Sequence, residues 1–198
     1  MAQKEEEEEQ QHREEVDGGA STAVATRTMG GSTLSDGKIN MQGTQIVLDR
    51  QMLSEMHTHA ASTYPEECCG LMLGHFDGQG AKKRVLRLKR MKNTFEPSER
   101  YHRYTIDPKE FLLTESEAQS NGEEIVGIYH SHPNAPAKPS LFDQNHAWPI
   151  LSYIVIEVRD GKPLMTASWV LKDDRSEFLQ EEMQVLAVTD KRREEGYR

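Results

Sequence analysis

The chain has 198 residues, 35% of them hydrophobic and 29% charged, with a formal net charge of -9. Mean hydropathy is -0.76, and no apolar run reaches the ~20 residues that a membrane helix needs. The acidic start carries no secretory signal pattern, and the net acidity argues against nucleic acid as the main partner.

The charge is unevenly placed. Residues 1–40 carry four basic and nine acidic side chains, and the remaining 158 carry 20 basic and 24 acidic. The first stretch holds an acidic run at residues 5–9 and few large apolar side chains, too little burial to offset its ordering entropy. A disordered tail is expected over residues 1–40; a charged helix that docks a partner is the alternative for the first fifteen. One globular domain is expected over residues 41–190, with a flexible end at 191–198. Two adjacent cysteines, Cys68 and Cys69, do not make an ordinary disulfide framework, so a reducing cytoplasm is the expected compartment.

In chain order, residues 44–48 alternate as a short strand. Asp49 is suited to cap a helix over 50–62, with Met52, Leu53, Met56 and Ala60 inward and Pro65 beyond its end. Residues 69–76 read as a buried strand, Asp77-Gly78 with Gly80 as a turn, and 84–91 as its hairpin partner. The cations of residues 82–92 alternate with Val85, Leu86, Leu88 and Met91, so a solvated strand face is expected there. Residues 101–106 read as another short strand. A helix over 107–120 places Phe111, Leu112 and Ala118 inward and stops at Asn121-Gly122. A strand follows over 124–130, then a proline-stiffened loop, then a helix over 141–148 behind Ser140. Residues 153–158 and 164–171 form a hairpin around Asp160-Gly161. Residues 182–188 fit a strand or a helix. Trp148 and Trp169 are expected in or near the core. This order suits a mixed α/β or α+β sheet better than a doubly wound parallel one.

The chemistry concentrates between His130 and Asp143. Side chains i and i+2 of a strand share a face, so His130 and His132 would project together past the strand end. The helix after Ser140 carries Asp143 in its first turn and could return that carboxylate to the imidazoles. Two nitrogens and one oxygen, with a fourth position open, make a catalytic zinc donor set. Ser140 with Asp143 equally fits a structural capping box. His57 and His59 form a second H-x-H on a helix, where i and i+2 diverge. His146 is either an outer partner of the site or an exposed helical residue.

The segment resembles the JAMM signature of the MPN+ metallopeptidases: His130-x-His132, seven residues, Ser140, two residues, Asp143. The upstream Glu67-Cys68-Cys69-Gly70, followed by an apolar strand, is similar to that family's glutamate motif. The resemblance covers residues 43–188. It implies a mixed central β-sheet flanked by helices, similar to cytidine deaminases. It implies one zinc per chain, held by His130, His132 and Asp143. Zinc brings the pKa of bound water from 15.7 to about 7; Glu67 would then accept its proton and pass it to the leaving amine, and Ser140 would hydrogen-bond the oxyanion.

No cysteine follows Cys69, and the intervals between motifs are short, so the chain looks like the compact prokaryotic branch. The segment from Asn93-Thr94 to Asp107-Pro108 is similar to that branch too. The implied substrate is the C-terminal glycine bond of a ubiquitin-like protein, a sulfur carrier in particular, with cysteine as one released group. A non-catalytic MPN scaffold or a RadC-like domain is the competing class. A zinc deaminase would need H-x-E and P-C-x-x-C, which are absent.

Overall fold

The computed structural model describes residues 44–77 and 82–187. The tail expected over 1–40, the end expected over 191–198 and most of the turn after Asp77 lie outside the described residues. Seven strands are described: β1 (Gln45–Asp49), β2 (Cys69–Phe76), β3 (Lys82–Met91), β4 (Glu124–Pro133), β5 (Ser152–Arg159), β6 (Lys162–Leu171) and β7 (Phe178–Leu186). The helices are α1 (Arg50–Thr63), α2 (Pro108–Ser120) and α3 (Leu141–His146), with a 3₁₀ turn at Pro97–Glu99.

The strand order is β1-β3-β2-β4-β5-β6-β7, and β1 also pairs with β7, so the order closes on itself. The sheet is mixed. β1–β3, β1–β7 and β4–β5 are parallel, and the other neighbours are antiparallel. Met56 and Ala60 of α1 sit in an apolar cluster with Ile46, Met72, Val85, Val126 and Ile154, side chains from five strands. Ala118 of α2 joins a second cluster with Leu71, Ile125, Ile128 and Tyr153. Neighbouring residues of β2, β4 and β5 therefore serve opposite faces, as strand periodicity requires.

Local signals explain the helix ends. Asp49 accepts the Met52 amide at 2.8 Å and starts α1. Asp107 accepts the Lys109 amide at 2.7 Å and starts α2, with Pro108 in its first turn. Gly122 takes φ 72° just past α2, a conformation glycine adopts without a Cβ penalty. No helix among the described residues is long and apolar enough to cross a membrane.

Several expectations are corrected. Residues 101–106 form no strand, because Asn93 holds this segment instead: its side chain donates to the Arg103 carbonyl and accepts the Thr105 amide. Leu112 points outward, 62% exposed, because α2 turns Phe111, Thr114 and Ala118 toward the sheet. α3 ends at His146, two residues early, and Trp148 is exposed against Phe111. β4 runs on through His132 to Pro133. Residues 178–186 are strand, settled by parallel pairing with β1. The basic face of β3 is mostly solvated, but Lys83 is 1% exposed and bonds Glu181 at 3.0 Å.

Candidate metal centre

The site lies at the carboxyl end of β4, which runs parallel to β5; ligand sites of α/β sheets favour this end of parallel strands. His130 and His132 share a face there, with Nε2 atoms 3.1 Å apart. Asp143 reaches them from the first turn of α3. Its Oδ1 lies 3.3 Å from His130 Nε2 and its Oδ2 3.5 Å from His132 Nε2. All three residues are buried.

Register brings in the glutamate. Cys69 pairs with His130, so Glu67 falls opposite His132. The Cys68 amide donates to Ser131 Oγ at 2.9 Å and fixes that alignment. The Glu67 amide donates to the Arg100 carbonyl, and Asn93 donates to the Glu67 carbonyl. Its carboxylate then stands 4.0 Å from His132 Nε2.

Ser140 takes the capping role that the sequence allowed. It caps α3, accepting the Asp143 amide at 3.1 Å, and its own amide donates to Asp143 Oδ2 at 2.7 Å. Its hydroxyl donates to the same Oδ2 at 2.6 Å. The capping box thus fixes the carboxylate that faces the imidazoles.

The loop between β4 and α3 is pinned at several points. His132 Nδ1 donates to the Pro136 carbonyl at 3.0 Å. A carbonyl only accepts, so this bond leaves the Nε2 lone pair of a neutral ring facing the cluster. The Asn134 amide donates to the Val158 carbonyl, and Trp169 Nε1 donates to the Ala137 carbonyl. A cleft of about 310 Å³ is lined by Glu67, His132 and Ser140 with Tyr101, His102 and residues of this loop.

Burial sets the charges. It pushes the Glu67 carboxyl up to about 9, with the Asp143 charge adding to the shift. Burial lowers the His130 imidazole, against the opposing pull of the Asp143 charge. Burial alone would raise Asp143, but His130 and the bonds from His132 and Ser140 outweigh it and hold the carboxyl well below the usual range.

The donor set fits a zinc ion. Ligand atoms at 2.0–2.1 Å around a tetrahedral ion lie about 3.3 Å from one another. Here the two Nε2 atoms are 3.1 Å apart, Asp143 meets each imidazole through a different oxygen at 3.3 and 3.5 Å, and one donor atom from each residue lies within 4.8 Å of the others. Two imidazole nitrogens and a carboxylate are ligands that suit this metal.

The other singled-out residues stand apart. His57 bonds Thr166 and His59 bonds Tyr129, so the second H-x-H does diverge. His146 is exposed and bonds the Phe142 carbonyl of its own helix. Cys68 and Cys69 are buried, and burial pushes the Cys68 thiol up to about 12 and Cys69 higher, which makes both poor nucleophiles. Sequence reading missed two contacts. The Tyr104 ring packs 4.6 Å from the His130 ring. Arg175, 28 residues beyond Ala147, donates to that residue's carbonyl just after α3. No local pattern marks either one.

The profile of prokaryotic homologues of the JAB domain matches residues 49–172. The chain belongs to that family. Among JAB relatives, a desampylase from Haloferax volcanii is 32% identical over 117 residues, 59% of this chain and 78% of the relative. A desampylase from Pyrococcus furiosus is 32% identical over 110 residues, 54% of this chain and 68% of the relative. Tail tip assembly protein K of Escherichia phage N15 is 28% identical over 134 residues, 62% of this chain; the chain spans about half the length of that relative, 49%. A solution structure from Desulfitobacterium hafniense matches with TM-score 0.63 and 31% identity, covering 74% of this chain and 96% of the other. One from Salinibacter ruber matches at 0.54 and 34%, covering 72% and 91%.

Proposed function

We propose that residues 41–190 form a zinc metallopeptidase, with one zinc per chain held by His130, His132 and Asp143. The observation that carries this reading is the spacing of three buried donor atoms beside a buried glutamate. When bound, zinc would supply Lewis acidity and an acidified water. Glu67 would accept a proton from the attacking water and return it to the leaving amine. Its raised affinity for protons suits the second half of that exchange, in which the protonated carboxyl serves the leaving amine. Ser140 would turn its hydroxyl from Asp143 toward the oxyanion, and its backbone amide would continue to hold Oδ2.

The substrate we propose is a peptide or isopeptide bond after the C-terminal glycine of a ubiquitin-like protein. Kinship with two desampylases supports this class. Within it we favour a sulfur carrier, with cysteine as a released group. Two unpaired buried thiols support a reducing, cytoplasmic setting.

The test is mass spectrometry of ubiquitin-like carriers extended beyond Gly-Gly, incubated with the zinc-loaded chain and with Glu67→Gln. Cleavage after the glycine, lost in the variant with zinc retained, is the expected result. Zinc bound at one per chain with no cleavage of any carrier or isopeptide would overturn the peptidase reading and favour a binding module.

A further inference from the structure

The helix that carries Asp143 is six residues long, too short to hold its own shape in water. Its N-terminal end is closed by the capping box, and that box uses the Asp143 carboxylate itself. A ligand that also supports its own helix needs the helix anchored elsewhere. The anchor is in the turn between β6 and β7. Arg175 donates from Nη1 to the Ala147 carbonyl at 2.7 Å and from Nη2 to the Asn145 and Gln144 carbonyls at 3.0 and 3.4 Å. These are carbonyls at the end of α3, which the helix leaves without partners, and a guanidinium fork also suits the negative end of a helix. Gln144 answers in the other direction, donating from Nε2 to the Arg175 and Ser176 carbonyls at 3.0 and 2.8 Å. Arg175 adopts φ 60°, which disfavours a residue with a side chain.

We propose that Arg175 and Gln144 form a two-way latch that positions Asp143 for the metal. Arg175 is a positioning residue for metal retention, acting across more than two dozen residues of sequence. The inference rests on the reading of His130, His132 and Asp143 as zinc ligands.

The full-length chain would be titrated with Zn²⁺ against a chromophoric chelator. The variants are Arg175→Ala, Arg175→Gly and Gln144→Ala, with Lys172→Ala as a control that alters the same turn without touching α3. Each chelator-treated protein would also be melted. The expected result is a loss of zinc affinity of about tenfold or more for the three latch variants, typical of residues that orient a ligand, and parental affinity for Lys172→Ala. Arg175→Gly gives the sharpest contrast. It relieves the positive φ, so its metal-free melt should match or exceed that of Arg175→Ala while both lose zinc. Parental affinity in Arg175→Ala and Arg175→Gly would overturn the latch, as would an equal loss in Lys172→Ala. A parent chain that takes up no zinc would overturn the ligand reading itself, a separate and recognisable result.

Discussion

Replacing Ser140 with alanine should produce two separable losses. The Ser140 hydroxyl donates to Asp143 Oδ2 at 2.6 Å, within the short range of a charge-assisted bond. It also accepts the Asp143 amide as the helix cap. A bond to a charged group contributes about 1.5–3 kcal/mol, and an N-cap about 1 kcal/mol. Two features pull the sum down: Ser140 is exposed, so water replaces part of the loss, and its backbone amide keeps Oδ2 paired. About 2 kcal/mol is expected, or about 4–8 °C in the melting temperature of a domain of this size. The second loss is chemical. A hydroxyl has a single hydrogen, so Ser140 can serve the oxyanion only when it leaves Asp143. Removing an oxyanion donor lowers kcat by about 10²–10³-fold. The assay is a melt of the chelator-treated protein, followed by turnover of the cleavable carrier at saturating zinc. An unchanged melt would refute the structural part. A kcat within a few-fold of the parent would refute the oxyanion role, whatever the melt shows.

Three further outcomes follow from buried groups. Burial, with Arg90 nearby, lowers His59 to about 4, against 6.5 for a free histidine. The unfolded chain therefore binds the extra proton first, so His59 contributes a stability loss of about 3 kcal/mol as pH falls from about 6.5 to 4; urea melts across this window should flatten in His59→Gln, and parallel pH profiles would refute it. Lys83→Met leaves Glu181 buried without its cation, so urea unfolding should show a loss of about 3–5 kcal/mol. Adding Glu181→Leu should restore most of that loss, and a double variant as weak as the single would show that the pair is not the cause. Chelation should abolish hydrolysis and lower the melting temperature, and zinc should restore both; full turnover in excess chelator would refute metal dependence.

What was legible in the sequence has a common physical scale. Asp49 and Ser140 cap helices through contacts three residues away, and His130 and His132 share a face because a strand repeats every two residues. Signals that short survive in a bare sequence. Leu112 shows where even a local pattern fails: two adjacent leucines and a phenylalanine fit several helix faces, and packing on β4 selected Phe111, Thr114 and Ala118. β7 was ambiguous because its burial follows no clean period, and its parallel pairing with β1 decided the matter.

Long-range contacts left no such trace. Lys83 sat in a basic stretch that reads as solvated, and only a partner 98 residues away makes its burial tolerable. No sequence pattern marks Arg175. Its meaning comes from where β6 and β7 bring its turn, against the end of a helix whose first turn supplies a donor to the cluster. The division is itself a prediction about mechanism. The groups proposed to meet the metal or the substrate lie in two short motifs, at Glu67 and at residues 130–143. The groups that hold them come from Asn93, Tyr104 and Arg175, outside both motifs. A domain that kept the motifs and lost these supports would still carry the signature but would bind zinc poorly, so the signature alone is a weaker guide to activity than the signature with its supports.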